Sequence, residues 1–220
     1  MQNPLMLSEA VAVYFEAKCL RFQDVVEFHL LDVGPLKCLH KHPGWPEVDG
    51  FHALDVPPAE VLAAVQNYHP DTKHMITVFA QSPDSLKDAY LELGYRLLPW
   101  AQPFMVKSLS EPFNFDEPDS VQVCQTLAAW DYWIEKDGQP VCRGGSIMTS
   151  AKAVYVSGME TLPDYRRRGL ASAILARIHK DALAEGADRS ILCSSPMGLP
   201  LYLAAGYDVL AYMQAFVPVH

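Results

Sequence analysis

The sequence has no C-x-x-C pair, no G-x-x-x-x-G-K-[ST] phosphate loop and no apolar run long enough to cross a bilayer. Each absence removes a class of function. Runs such as Ala10–Phe15 fall far short of the ~20 apolar residues of a membrane-spanning helix, so a membrane protein is excluded. The start, Met1-Gln2-Asn3-Pro4, lacks the basic opening of a secretory signal, and the expectation is a cytoplasmic chain. Without the phosphate loop, an ATPase or kinase of that type is not expected. Positive charge is scarce: 17 Lys and Arg against 26 Asp and Glu give a net charge of −9. Such a surface repels phosphate backbones, so nucleic acid is not an expected partner. Cysteine is sparse and odd in number, with Cys19, Cys38, Cys124, Cys142 and Cys193. Reduced thiols serving as small core residues fit that pattern. Metal spacing is missing too. His40 and His42, with His52 nearby, have no Cys or carboxylate completing a ligand set, so they read as loop histidines and no metal is expected.

What the 220 residues do hold is a core: half are hydrophobic and 10% aromatic, enough to offset the entropy of ordering. Apolar spacing predicts a helix over Pro4–Lys18 and a strand over Val25–Asp32. The stretch Gly34–Val56, rich in Pro, Gly and His, gives no assignment. Pro57 and Pro58 suit the first turn of a helix over Ala59–Tyr68, and Met75–Ala80 reads as a buried strand. Ser108–Ser120 is acidic, proline-broken and aperiodic, the pattern of a linker. Beyond it come a hairpin, Trp130–Glu135 and Pro140–Met148 around Asp137-Gly138, and a strand over Val154–Thr161. Leu170, Ile174, Leu175, Ile178 and Leu183 make the apolar stripe of a helix over Leu170–Glu185, stopped by Gly186. A strand over Ser190–Cys193, a short helix over Pro200–Ala205 and a strand over Asp208–Val217 complete the chain.

The two halves resemble each other. Tyr90-Leu91-Glu92-Leu93-Gly94-Tyr95 matches Tyr202-Leu203-Ala204-Ala205-Gly206-Tyr207, and each hexamer follows a strand and a Ser-Pro, Ser82-Pro83 or Ser195-Pro196. Gln102 and Phe104 stand from Gly94 as Gln214 and Phe216 stand from Gly206. One register for all these features predicts a tandem duplication. The expected domains are residues 1–107, a linker at 108–120, and 121–220.

Chemistry concentrates in Gly158–Ser172. Pro163-Asp164-Tyr165-Arg166-Arg167-Arg168-Gly169-Leu170-Ala171-Ser172 joins a strand to an amphipathic helix. Gly169 and Ala171 leave room for a close approach, and the loop amides and helix N-terminus converge on one electropositive place. Three arginines add positive charge. That is a seat for a phosphate or pyrophosphate; the competing reading is a basic, solvated helix start.

Here the sequence resembles the GNAT superfamily of acyl-CoA-dependent N-acyltransferases. Its Arg/Gln-x-x-Gly-x-Gly/Ala signature is met by Arg166, Gly169 and Ala171. Pro163-Asp164-Tyr165 is similar to the family's lead-in, and Tyr202–Tyr207 to its late Tyr-x-x-x-Gly-Phe segment. The resemblance covers roughly 130–217. It implies an α/β (α+β) GNAT fold: a mixed, mostly antiparallel central sheet flanked by helices, here in a tandem arrangement. It implies that amides of Arg167, Arg168, Gly169, Leu170, Ala171 and Ser172 hold the pyrophosphate of acetyl-CoA. It implies that the backbone of Met159, Glu160 and Thr161 pairs with the pantetheine arm, one amide polarising the thioester carbonyl. It gives Tyr202 the role of general acid to the departing thiolate. Glu160 is the candidate base for the amine, weighed equally against a solvent-facing or structural carboxylate. Cys193 is read as a packing residue. The implied reaction is direct acetyl transfer to a primary amine of a small molecule or protein, by a monomer or homodimer. The alternative is a non-catalytic acyl-CoA-binding or regulatory module. The N-terminal half has no arginine-glycine loop between Leu54 and Ala59 and reads as a degenerate GNAT-like repeat.

Overall fold

The computed structural model describes residues 6–22, 28–41, 49–54, 56–68, 74–84, 86–99, 101–110, 120–126 and 128–219. Parts of four sequence expectations, Pro4 and Leu5 of the first helix, Val25–Glu27 of the first strand, His42 and most of the linker (111–119), lie outside the described residues. The chain forms two compact units, Met1–Arg21 with Met105–Asp208 (unit I) and Phe22–Phe104 with Val209–His220 (unit II). Each terminal segment thus belongs with residues from the far half of the chain. No helix among the described residues is long and apolar enough to cross a membrane.

In unit II, β1 (Phe28–Val33), β2 (Leu36–Lys41) and β3 (Asp49–Leu54) form an antiparallel meander. Helix α2 (Pro58–Tyr68) carries the chain across to β4 (His74–Ala80), which runs parallel to β3. Thus His40 and His52 lie in strands rather than loops. Helix α3 (Lys87–Glu92) leads to β5 (Tyr95–Leu97) and β6 (Gln102–Ser108). The last strand, β12 (Asp208–Pro218), pairs antiparallel with β4 and β5. Val61 and Val65 of α2 bury against Ile76, Val78, Tyr90 and Phe216.

Unit I repeats the order. β7 (Gln122–Thr126), β8 (Ala129–Lys136), β9 (Gln139–Met148) and β10 (Ala153–Thr161) are successive antiparallel neighbours. Asp137 (φ 52°) and Gly138 (φ 75°) both take the left-handed conformation that matches a two-residue hairpin to strand twist. Helix α4 (Leu170–Ala184) crosses to β11 (Arg189–Cys193), parallel to β10, and α5 (Leu199–Ala204) follows. The core gathers Ile174, Leu175 and Ile178 of α4 against Tyr132, Ile134, Val154 and Val156. Leu109 and Val121, near the two ends of the expected linker, are both buried in this core.

Helix α1 (Leu7–Phe22) begins and ends later than its predicted bounds, and it belongs to unit I. Tyr14 packs edge-on against Tyr155 at 5.8 Å, and Glu16 accepts hydrogen bonds from the Ser150 amide (2.6 Å) and hydroxyl (3.0 Å). Adjacent glycines show which face each helix covers. A Cβ at Gly144 would meet Ile174 of α4 at 3.1 Å, whereas one at Gly145 would meet Arg21 of α1 at 2.9 Å. Neighbours along a strand point to opposite faces, so α1 and α4 sandwich the sheet of unit I.

The two halves share β-β-β-α-β-α order with one parallel pair each. Gly94 and Gly206 both have φ of 82° and donate their amides to Leu91 O and Leu203 O, each at 3.0 Å. That left-handed helix ending is what a glycine supplies without steric cost.

Candidate functional site

The parallel strands of unit I separate before they end. β10 pairs with β11 from Ala153↔Arg189 to Val156↔Leu192, then runs on to Thr161 without a β11 partner. A bulge accompanies the parting: opposite β9, the register jumps from Ser157↔Gly145 to Glu160↔Arg143, and Gly158 takes φ of 65°. A bulge bends a strand and re-aims its edge. The result is a wedge whose β10 side has no β11 strand partner from Ser157 onward. In unit II the parallel pair stays registered to the end of β3, at Leu54↔Phe79, and no such wedge opens among the described residues.

Beyond Thr161 the chain makes a 3-10 turn, Pro163–Tyr165, and enters α4 through two left-handed residues, Arg167 (φ 61°) and Gly169 (φ 78°). Nothing lies within 4 Å of a Cβ placed on Gly169, so this glycine meets a conformational need, and the space beside it is open. Among the described residues no protein acceptor takes the amides of Arg167 to Ser172; the first bond of the helix is Ala173 N–H to Gly169 O, 3.0 Å. No side chain caps the helix start. Successive amides in a left-handed turn at a helix N-terminus form an anion cradle. The arginines brace it: Arg166 Nε donates to Thr161 O (3.1 Å), and Arg168 donates to Asp164 O (2.8 Å) and stacks over Tyr165 at 5.2 Å.

Tyr202 lies just past the end of β11, in α5. Its ring edge comes so near Gly198 that a Cβ there would meet Cε2 at 3.1 Å, with Ser194 and Ser195 hydroxyls at 3.4 Å. It is buried, 5% exposed, and desolvation pushes its hydroxyl up to about 12. The phenol therefore holds its proton throughout the neutral range. The matching Tyr90 is sealed in the other core, stacked on Phe216 at 4.3 Å.

The model of the acetyltransferase (GNAT) family matches residues 95–207, just over half of the chain. The chain belongs to the GNAT acetyltransferase family. A search of curated proteins gave no match. Solved structures share the GNAT fold over nearly the whole chain. A GCN5-related N-acetyltransferase from Kribbella flavida is 18% identical, with 96% of this chain and 94% of that one covered at a TM-score of 0.69. A protein assigned to the GNAT family from Novosphingobium aromaticivorans is 16% identical, with coverage of 92% and 94% and a TM-score of 0.57. A tandem GNAT protein from the clavulanic acid biosynthesis pathway is 10% identical, with coverage of 83% and 77% and a TM-score of 0.57. The GNAT fold, a mixed and mostly antiparallel sheet flanked by helices, is thus established, as is membership of a family that transfers acyl groups from acyl-CoA.

Within this GNAT domain the residues singled out from sequence take definite places. Arg167 to Ser172 line the left-handed entry to α4, and Met159, Glu160 and Thr161 lie along the β10 edge that has no β11 partner. The Met159 side chain turns toward α4, against Gly144. Glu160 turns the other way, and Arg143 grips its carboxylate through Nε (2.8 Å) and Nη2 (2.5 Å). Cys193 is half-buried beside Tyr155, and desolvation pushes its thiol up to about 11, away from the thiolate a nucleophile needs.

Sequence reasoning missed Ser157, Arg21 and Asp131. Asp131, Gly145 and Ser157 are register partners across β8, β9 and β10, so they form one row on the α1 face. Arg21 lies over that row, its Nη2 3.5 Å from Asp131 Oδ1. The Gly144-Gly145 pair inside a strand was the available signal, because strand glycines mark a close approach.

Proposed function

We propose that the protein is an acetyl-CoA-dependent N-acetyltransferase, acting on a primary amine of a small molecule or protein by direct attack in a ternary complex. The observation that carries this reading is the row of six acceptor-free amides, Arg167 to Ser172, beside an unpaired β10 edge. The cradle is shaped for a pyrophosphate, and the edge for an extended amide-bearing arm. Acetyl-CoA, when bound, supplies an acetyl thioester to the amine. Arg167–Ser172 would hold the nucleotide end by main-chain donation. The free edge of Met159–Thr161 would align the arm as an added strand, and an amide there would polarise the carbonyl. Tyr202, neutral and desolvated, would hand its proton to the leaving sulfur. Glu160 is kept as a candidate base only if its Arg143 bond gives way on binding.

The N-terminal half then serves as a degenerate GNAT-like repeat, consistent with its closed β3–β4 pair and sealed Tyr90. The free cysteines among the described residues support a reducing, cytoplasmic setting. The ion-paired state of Glu160 favours one second reading, a non-catalytic acyl-CoA-binding module. Thiol release from acetyl-CoA across an amine panel separates the two. Release with any amine supports the transferase, and tight CoA binding without release supports the module.

A further inference from the structure

The α1 face of unit I carries a cluster that acyl-CoA binding does not use. Arg21 Nη1 and Ser157 Oγ are both shielded from solvent, and neither has a hydrogen-bond partner. Ser157 belongs to the row Asp131–Gly145–Ser157, and Arg21 lies over it. Arg21 is held over Gly145 by α1, which Glu16 ties to the Ser150 backbone. Its Nη2 engages Asp131 Oδ1 at 3.5 Å, so one end of the guanidinium fork is occupied and the other is not. Leaving a buried donor unpaired is costly, and a ligand that completes its hydrogen bond removes that cost. The row ends at Ser157, where β10 parts from β11 and the free edge begins.

We infer that Arg21 is a specificity-determining residue that takes the carboxylate of an amino-carboxylate acceptor, with Ser157 as the second polar contact. The inference rests on the transferase reading above and names its substrate class. Adjacent strands are about 4.8 Å apart, so a carboxylate on the Arg21 guanidinium, which itself covers Gly145, stands roughly one to two strand spacings from the wedge. That separation suits an amino acid whose amine points into the wedge. A planar guanidinium with a free N–H recognises a carboxylate by a charge-assisted bond, and the missing side chain at Gly145 lets the guanidinium lie against the strand, its Nη1 2.9 Å from where a Cβ would stand.

The test uses the full chain loaded with CoA and three matched probe sets: L-lysine with lysinamide and cadaverine, L-phenylalanine with its amide and phenethylamine, and γ-aminobutyrate with its amide and propylamine. Equilibrium binding and kcat/KM are both read, so binding reports even where turnover is slow. In at least one set the carboxylated member is expected to bind tenfold or more tightly than its amide and its decarboxylated partner. Arg21→Gln is expected to remove that preference, and Arg21→Lys to restore part of it. Equal binding within every set, an equal loss for all members in Arg21→Gln, or binding of none overturns the assignment. CoA affinity is the separate control: a chain that binds no CoA refutes the transferase reading, whereas normal CoA affinity without carboxylate preference refutes only the role of Arg21.

Discussion

Replacing Gly169 by aspartate puts a carboxylate at the left-handed entry to α4, among the acceptor-free amides. Two costs follow, and they can be separated. The first is conformational: a side chain at φ of 78° costs about 1–2 kcal/mol, with no clash added, because nothing lies within 4 Å of the new Cβ. For a chain of this size that lowers Tm by roughly 2–8 °C. The second is electrostatic. At about 5 Å from a phosphate charge, the repulsion is ~0.8 kcal/mol at the dielectric constant of water and ~3 kcal/mol at an effective value of 20. CoA should therefore bind between about fourfold and a few hundredfold more weakly. Gly169→Ala carries the first cost without the second. Calorimetric titration of CoA into both variants, alongside thermal unfolding, gives the comparison. The expected result is a similar fall in Tm for both and a much larger loss of CoA affinity for aspartate. Wild-type affinity in Gly169→Asp would refute the anion cradle, and equal losses in both variants would refute its electrostatic basis.

Tyr202→Phe should lower kcat by about a hundredfold and leave CoA affinity within twofold, as read by steady-state kinetics and titration; unchanged turnover removes the general-acid role. Gly198→Ala presses on the same ring, 3.1 Å away, and should reduce kcat with little change in CoA binding. Burial raises the hydroxyls of Tyr14, Tyr90, Tyr132, Tyr155, Tyr202 and Tyr207 above their unfolded value near 10. Their stabilising contribution is complete below about pH 10 and is lost as pH rises through the folded values, so Tm should fall steeply on the alkaline side. His179 is shifted the other way, down to about 3, by burial and by Lys107. Its contribution is present above pH ~6.5 and is lost as pH falls toward 3; His179→Gln should flatten the acid limb of a Tm-against-pH plot.

Long periodic segments were legible because burial on one face writes itself into spacing. The apolar stripe of α4 gave its span to within a residue, and Asp137-Gly138 located the β8–β9 hairpin. The left-handed entry to α4 was legible at Gly169, since such backbone favours glycine, whereas the left-handed Arg167 carries no such mark. Strands β2 and β3 were not, because six-residue strands among Pro, Gly and His carry no period long enough to read. The ion pair of Glu160 with Arg143 depends on a register across a bulge, which spacing along one strand does not encode. Arg21 was invisible for a similar reason: 110 positions separate it from Asp131, and only the placement of α1 in unit I brings them together.

That placement governs how the molecule is made and divided. During synthesis Met1–Arg21 must wait for residues 105–208 before it has a home, and Phe22–Phe104 lacks its closing strand until Val209–His220 emerges. Neither unit can be liberated by a single cut in the polypeptide. Losing Val209–His220 would injure unit II first, and a bulky group placed ahead of α1 would burden unit I some hundred residues downstream.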